Sequence, residues 1–124
     1  MQFNQSQAIY LQIADYICDQ VQLGELKTEE KVPSVRELAV RLEVNPNTVM
    51  RSYEHLQQQG IIYTRRGLGY YISPDALQKL AGDRRQQFLE EELPSFFHKM
   101  YLLGIELDEL KGRYDAYRAA KQQQ

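Results

Sequence analysis

Val32-Pro33-Ser34-Val35-Arg36-Glu37-Leu38-Ala39, a break at Glu43-Val44-Asn45, then Pro46-Asn47-Thr48-Val49-Met50-Arg51-Ser52-Tyr53: this stretch decides the fold. Ser34 with Glu37 three residues later is a capping box, in which the serine accepts from a free amide and the glutamate reaches back. Val35, Leu38, Ala39 and Leu42 then form one face of a short helix. Asn45 is a strong N-cap, and Pro46 stands at the first helical position, where its missing N–H does no harm. Val49, Tyr53 and Leu56 give the following helix its apolar face, and Gly60 ends it. Two helices joined by a break of about three residues read as a helix-turn-helix.

Working outward, residues 8–23 form an amphipathic helix. Ile9, Ile13, Ile17 and Val21 recur every four residues with Tyr16 beside them, while Gln12, Asp15, Asp19 and Gln22 are expected elsewhere on the surface. Gly24 stops this helix, and residues 25–32 are a polar connection anchored by Leu26 and Val32. After Gly60 the period changes. Ile61–Thr64 and Tyr70–Ile72 are short β-prone runs, and the intervening Arg65-Arg66-Gly67-Leu68-Gly69 reads as the loop of a hairpin. Ser73-Pro74-Asp75 is the best boundary, which divides the chain into 1–74 and 75–124.

The pattern beyond residue 75 is helical again. Leu89, Leu93, Phe96, Met100 and Leu103 make a heptad-like seam, and Leu107, Leu110, Tyr114 and Tyr117 make a second. Pro94 lies inside the first seam and predicts a kink or helix restart near Glu92–Leu93. Gly104 separates the two seams, and the final Gln122-Gln123-Gln124 is expected to fray. One short pair of helices cannot bury these seams together with Phe88, Phe97 and Tyr101, so a second copy of the chain is the expected cover. A ligand cavity of about 300 Å³ or more with converging polar groups is not expected here. The fold class is therefore mainly α with a small β-hairpin: a winged helix-turn-helix followed by a short helical dimerisation region.

Composition narrows the function. The chain has 124 residues, 43% of them hydrophobic and 26% charged, which suits one ordinary globular domain or a small one with an extension. No apolar run exceeds four residues, so no membrane span is expected, and the N-terminus lacks the pattern of a signal peptide. The lone Cys18 cannot form an intramolecular disulfide, which fits a reducing cytoplasm. The net charge of −2 hides a division: residues 1–30 carry −4, residues 31–71 carry +3 and residues 72–124 carry −1. Positive charge confined to one segment points to a local anionic partner. His55, His98 and Cys18 have no metal-ligand spacing, and no catalytic triad, Walker loop or dinucleotide loop is present. The chain is read as non-enzymatic and without cofactor.

A helix-turn-helix with a basic hairpin beside it is a DNA-binding layout. The first turn of the second helix reaches base edges in the major groove, and here it offers Asn47 and Thr48, with Arg51 one turn later. Arg65 and Arg66, beside Gly67 and Gly69, suit a narrow, negative minor groove. Each residue has a plainer rival role. Arg36 and Arg51 can be solvated helix arginines, Arg51 paired with Glu54; Asn45 can be purely a cap; Arg65 and Arg66 can merely solubilise a hairpin tip. Tyr53 reads as core.

These motifs resemble, in order, the DNA-binding region of the GntR family of bacterial transcription regulators. The carrying residues are Gly24-Glu25-Leu26, Val32 to Ala39, Val44 to Tyr53, Leu56, Gly60-Ile61-Ile62 and the wing Arg65 to Ile72, so the resemblance spans roughly residues 7–73. The Asn-Pro-Asn-Thr-Val-x-Arg-x-Tyr form and the short helical tail are most similar to the YtrA subfamily, whose members are typically dimeric repressors, often encoded beside ABC transporter genes. The resemblance implies DNA contacts at Arg36, Asn45, Asn47, Thr48, Arg51, Arg66 and Gly67; Ser34 at the α2 cap and Arg65 in the hairpin are further candidates read from the residues, with Arg66 favoured over Arg65. Other subfamilies often carry a base-reading arginine where this chain has Pro46 and a basic residue where it has Met50, so their operator sequences do not transfer. The expected partners are double-stranded operator DNA and a second copy of the chain, with no membrane. The effector, the operator and the regulated genes are not written in the sequence. A protein–protein adaptor built on a winged helix without DNA binding is the alternative, because a fold alone does not establish function.

Overall fold

A computed structural model describes residues 1–123; the expected fraying of the last three glutamines falls in part on Gln124, outside them. The element order is α1 (Ile9–Gln22), α2 (Val35–Leu42), α3 (Pro46–Gln58), β1 (Ile62–Arg65), β2 (Gly69–Ile72), α4 (Ala76–Gln87), a π-helical turn (Phe88–Glu92), α5 (Leu93–Leu103) and α6 (Leu107–Gln122). Two compact units divide the chain, Met1–Arg84 and Arg85–Gln124. The first unit thus reaches ten residues past the expected boundary at 74, because Ala76 and Leu80 of α4 are buried in its core.

The core of the first unit gathers one face from every element. Ile13, Ile17 and Val21 of α1, Leu38 and Ala39 of α2, Val49, Tyr53 and Leu56 of α3, and Ile62 and Ile72 of the hairpin are buried together with Val32. Caps set the helix starts as expected. Ser34 Oγ accepts from the Glu37 amide at 3.1 Å, and Asn45 Oδ1 from the Asn47 amide at 2.8 Å. Only the forward half of the Ser34–Glu37 capping box is formed. The turn between α2 and α3 places Glu43 at φ 58°, a left-handed conformation that costs a non-glycine residue about 1–2 kcal/mol.

Two expectations for α1 are corrected. Ile9 is exposed, at the outer end of its stripe. Gln12 is buried instead of lying on the surface: its amide donates to the carbonyls of Asn4 (2.8 Å) and Gln7 (2.7 Å), and its oxygen accepts from the Asn4 amide (3.0 Å). It satisfies the backbone of residues 4–7 as they fold back on α1, and a buried polar group is tolerated once paired. Burial also pushes the Cys18 thiol up to about 11, with the charge of Arg84 opposing.

The hairpin is antiparallel with Ile62 opposite Ile72, Tyr63 opposite Tyr71, Thr64 opposite Tyr70 and Arg65 opposite Gly69. Arg65 therefore belongs to β1 and not to the loop, whose tip is Arg66-Gly67-Leu68. Gly67 sits at φ +75°, a conformation that only glycine adopts without strain. The connection before α2 contributes a third edge: Lys31 bridges Tyr71, and the Val32 amide donates to the Tyr70 carbonyl at 2.9 Å. A single bridging residue has no alternation to betray it in sequence.

In the second unit Pro94 acts as expected, by a specific route. The helical backbone continues without an extended residue, but Phe88–Glu92 widens to a π turn in which the Leu93 amide donates to the Phe88 carbonyl. An ordinary helix would ask the proline nitrogen for a bond it cannot make and press its ring on the Glu90 carbonyl; the extra residue relieves both. Met100 is buried, Leu93, Ile105 and Leu110 are half-buried, and Phe88, Leu89, Phe96, Phe97, Tyr101, Leu103, Leu107, Tyr114 and Tyr117 are exposed. Two open clefts of about 500 and 450 Å³ lie along α5 and α6; both are lined chiefly by apolar side chains, without the converging polar groups of a ligand cavity. They exist because α6 buries no residue fully, so the helices leave their apolar faces uncovered. Among the described residues no helix is long and apolar enough to cross a membrane.

Candidate nucleic-acid interface

Tyr53 is the joint that arranges the site. Fully buried on α3, it donates its hydroxyl to the Pro33 carbonyl at 2.6 Å, immediately before the α2 cap. Its ring meets the Tyr70 ring of β2 edge-on at 5.1 Å, and the Tyr70 hydroxyl lies 3.8 Å from Met50 Sδ on α3. Burial raises the Tyr53 phenol well above its ordinary pKa, so it stays a donor at any working pH. One side chain thus fixes the start of α2 and the wing against the helix between them.

On that frame the α3 N-terminus is exposed. Asn45 spends its side-chain oxygen on the cap, which confirms its structural role. Asn47 is exposed, Thr48 half-buried, and Met50 and Arg51 exposed. The first-turn amides and the positive end of the helix dipole favour a phosphate there. Ser34 caps α2 at the surface, and Arg36, two residues on, is exposed with no carboxylate within 4.0 Å among the described residues. Arg51 does not pair with Glu54. Its guanidinium carbon lies 3.9 Å from the centre of the Tyr10 ring of α1.

The two wing arginines differ sharply. Arg65 donates to Glu29 Oε2 at 2.7 Å and to the Tyr63 hydroxyl at 2.8 Å, with its guanidinium 4.1 Å from the Tyr71 ring centre. Glu29 also accepts from the Tyr63 hydroxyl at 2.6 Å. Arg65 is therefore already engaged in holding the outer face of the wing. Arg66 is exposed at the tip beside Gly67, whose α-carbon has open space around it. Sequence reasoning missed Tyr10, Glu29 and Ser52. Their roles come from contacts between distant residues, for which no spacing signal exists.

With this geometry in place, comparison with known proteins is informative. The sequence model of the bacterial regulatory proteins of the gntR family matches residues 9–72. The transcriptional regulator YhcF of Bacillus subtilis is 39% identical over 109 residues, covering 88% of each chain. The transcriptional repressor YtrA of Bacillus subtilis is 38% identical over 105 residues, 85% of this chain and 80% of that one. A crystal structure of a GntR-family regulator from Bacteroides thetaiotaomicron superposes with a TM-score of 0.71 at 48% identity, covering 94% of this chain and all of that one. The chain belongs to the GntR family of bacterial regulatory proteins, as a YtrA-like transcription regulator with a DNA-binding winged helix-turn-helix.

Proposed function

We propose that the protein is a homodimeric repressor of a transporter-type operon, each protomer reading one operator half-site. The observation that carries this reading is the exposed, capped first turn of α3 held beside a basic wing tip by the Tyr53–Tyr70 joint. Asn47, Thr48 and Arg51 meet base edges in the major groove. Ser34 and Arg36 hold the phosphate backbone at the start of α2, and Arg66 with Gly67 lies against the minor groove. The exposed apolar faces of α5 and α6 pair two protomers, which sets the half-sites about 34 Å apart on one face of the duplex. Repression follows where the operator overlaps the promoter, and the naming of the relative YtrA as a repressor supports it. The protein acts in the bacterial cytoplasm, where its operator is.

The test is a gel shift with duplexes selected from random DNA, repeated across salt concentrations, with transcription of neighbouring genes measured in a deletion strain. Specific binding with a steep salt slope and derepression of a transporter operon are expected. An adaptor would give neither specific duplex binding nor a salt slope.

A further inference from the structure

We infer that Tyr10, at the start of α1, is a positioning residue for DNA readout: its ring is the platform that holds the Arg51 guanidinium in place. The inference rests on the reading of Arg51 as a base-contacting residue. An arginine on an exposed helix face samples many rotamers, and freezing them on binding costs affinity. A planar guanidinium stacked on an aromatic face loses that freedom beforehand, while the N–H donors around its edge stay available for a bidentate contact. The 3.9 Å separation between the Arg51 guanidinium carbon and the Tyr10 ring centre is a close cation–π contact over the ring face.

Tyr10 is itself held from two other directions. Ser52, fully buried on α3, brings its hydroxyl to 2.7 Å from the Tyr10 carbonyl and 3.0 Å from the Thr48 carbonyl, so the backbone carrying the ring is tied to the helix carrying Arg51. The His55 ring meets the Tyr10 ring edge-on, centres 6.1 Å apart and planes at 84°. Arg51, Ser52 and His55 are neighbours on one helix, and all three converge on this one residue of α1. Among the described residues no carboxylate lies within 4.0 Å of Arg51, so the aromatic face is its intramolecular partner.

The experiment uses the full chain and a duplex selected by it from random DNA. Affinity and base preference are measured for Tyr10→Phe, Tyr10→Leu, Arg51→Ala and the Tyr10→Leu/Arg51→Ala pair, with melting curves to verify folding. Tyr10→Phe keeps the ring and binds as the parent does. Tyr10→Leu loses roughly 2- to 5-fold in affinity and flattens the preference at the base pair that Arg51 reads. In the Arg51→Ala background the same change costs nothing further, because the group it positions is gone. Tyr10→Met takes the place of Tyr10→Leu if the leucine variant does not fold. Equal losses in both backgrounds, or equal losses from Tyr10→Phe and Tyr10→Leu, overturn the inference while leaving Arg51 in the site. Full affinity in Arg51→Ala, where Asn47→Ala is impaired, removes Arg51 from the site and the inference with it.

Discussion

The two compact units of this chain spend their apolar residues in opposite ways. In Met1–Arg84, sixteen hydrophobic residues form one buried cluster, and Ile13, Leu38, Val49, Tyr53, Leu56 and Ile72 have no exposed surface. Among the described residues of the second unit the only buried hydrophobic is Met100, while Tyr101 is 85% exposed and Leu103 72%. Both regions were written with helical apolar periodicity, yet only one closes a core. Periodicity thus reports that a face is to be covered and does not report by what. The first unit covers its faces with its own elements; in the proposed dimer, the second unit waits for another chain.

The largest expected effect comes from separating the two. A chain ending at Arg84 keeps the Ala76 and Leu80 burial and the pairing of Arg84 with Asp19 at 2.7 Å, so it folds as a monomer. Losing the linked second half-site weakens operator binding by roughly 10²- to 10⁴-fold. A chain ending at Ser73 folds less stably, because it lacks α4. Sedimentation and gel shifts test this: a full-length monomer at micromolar concentration, or a dimer of residues 1–84, breaks the contrast between the units.

The same substitution in each unit sharpens it. Leu56→Ala removes a side chain with no exposed surface and is expected to cost about 2–5 kcal/mol of unfolding free energy. Leu103→Ala removes one that is mostly exposed in the single chain, so it leaves the melting of residues 1–84 unchanged and weakens dimerisation instead. Tyr53→Phe falls between. It strands the Pro33 carbonyl that the hydroxyl serves and should cost about 1–3 kcal/mol in denaturant unfolding. A Tyr53→Phe variant of full stability would mean that water replaces the bond and that the joint is only a matter of packing.

How much of this was legible in sequence follows the range of the interactions. Caps are local, so Ser34, Asn45 and Pro46 marked α2 and α3 correctly, and the period change after Gly60 marked the hairpin. Glu43 in the left-handed turn carries no such mark, because the usual signal is glycine or asparagine. Pro94 announced a disturbance, but whether the backbone kinks, stops or widens depends on which remedy costs least, and no residue type encodes the π turn. Gln12 looked like surface because its partners are backbone groups of a segment without a pattern. Of the site, the composition of the α3 first turn and the wing was readable. Which arginine is free and which is engaged was not, since Glu29 and Tyr10 reach them across the fold.

That division of labour sets the smallest expected effect, in the wing. Arg65 and Arg66 are adjacent and chemically identical, and although the sequence favours Arg66 for DNA, it gives Arg65 no other partner. The fold does. Arg65 already has a carboxylate at 2.7 Å, a phenol at 2.8 Å and an aromatic face at 4.1 Å, whereas Arg66 stands exposed at the tip with no carboxylate within 4.0 Å among the described residues. A phosphate reaching Arg65 must compete with Glu29, and releasing fewer counterions means a shallower salt dependence. Arg66→Ala should therefore lower the salt slope of operator binding by about one, the full contribution of a phosphate contact. Arg65→Ala should change the slope less, and should instead loosen the Glu29–Tyr63 side of the wing. Glu29→Gln keeps the size of that side chain and removes its charge, so it should free Arg65 and steepen the slope toward one additional contact. Equal slopes for the two alanine variants, or no change in Glu29→Gln, would show that DNA displaces Glu29 at no cost and that the wing arginines are equivalent after all.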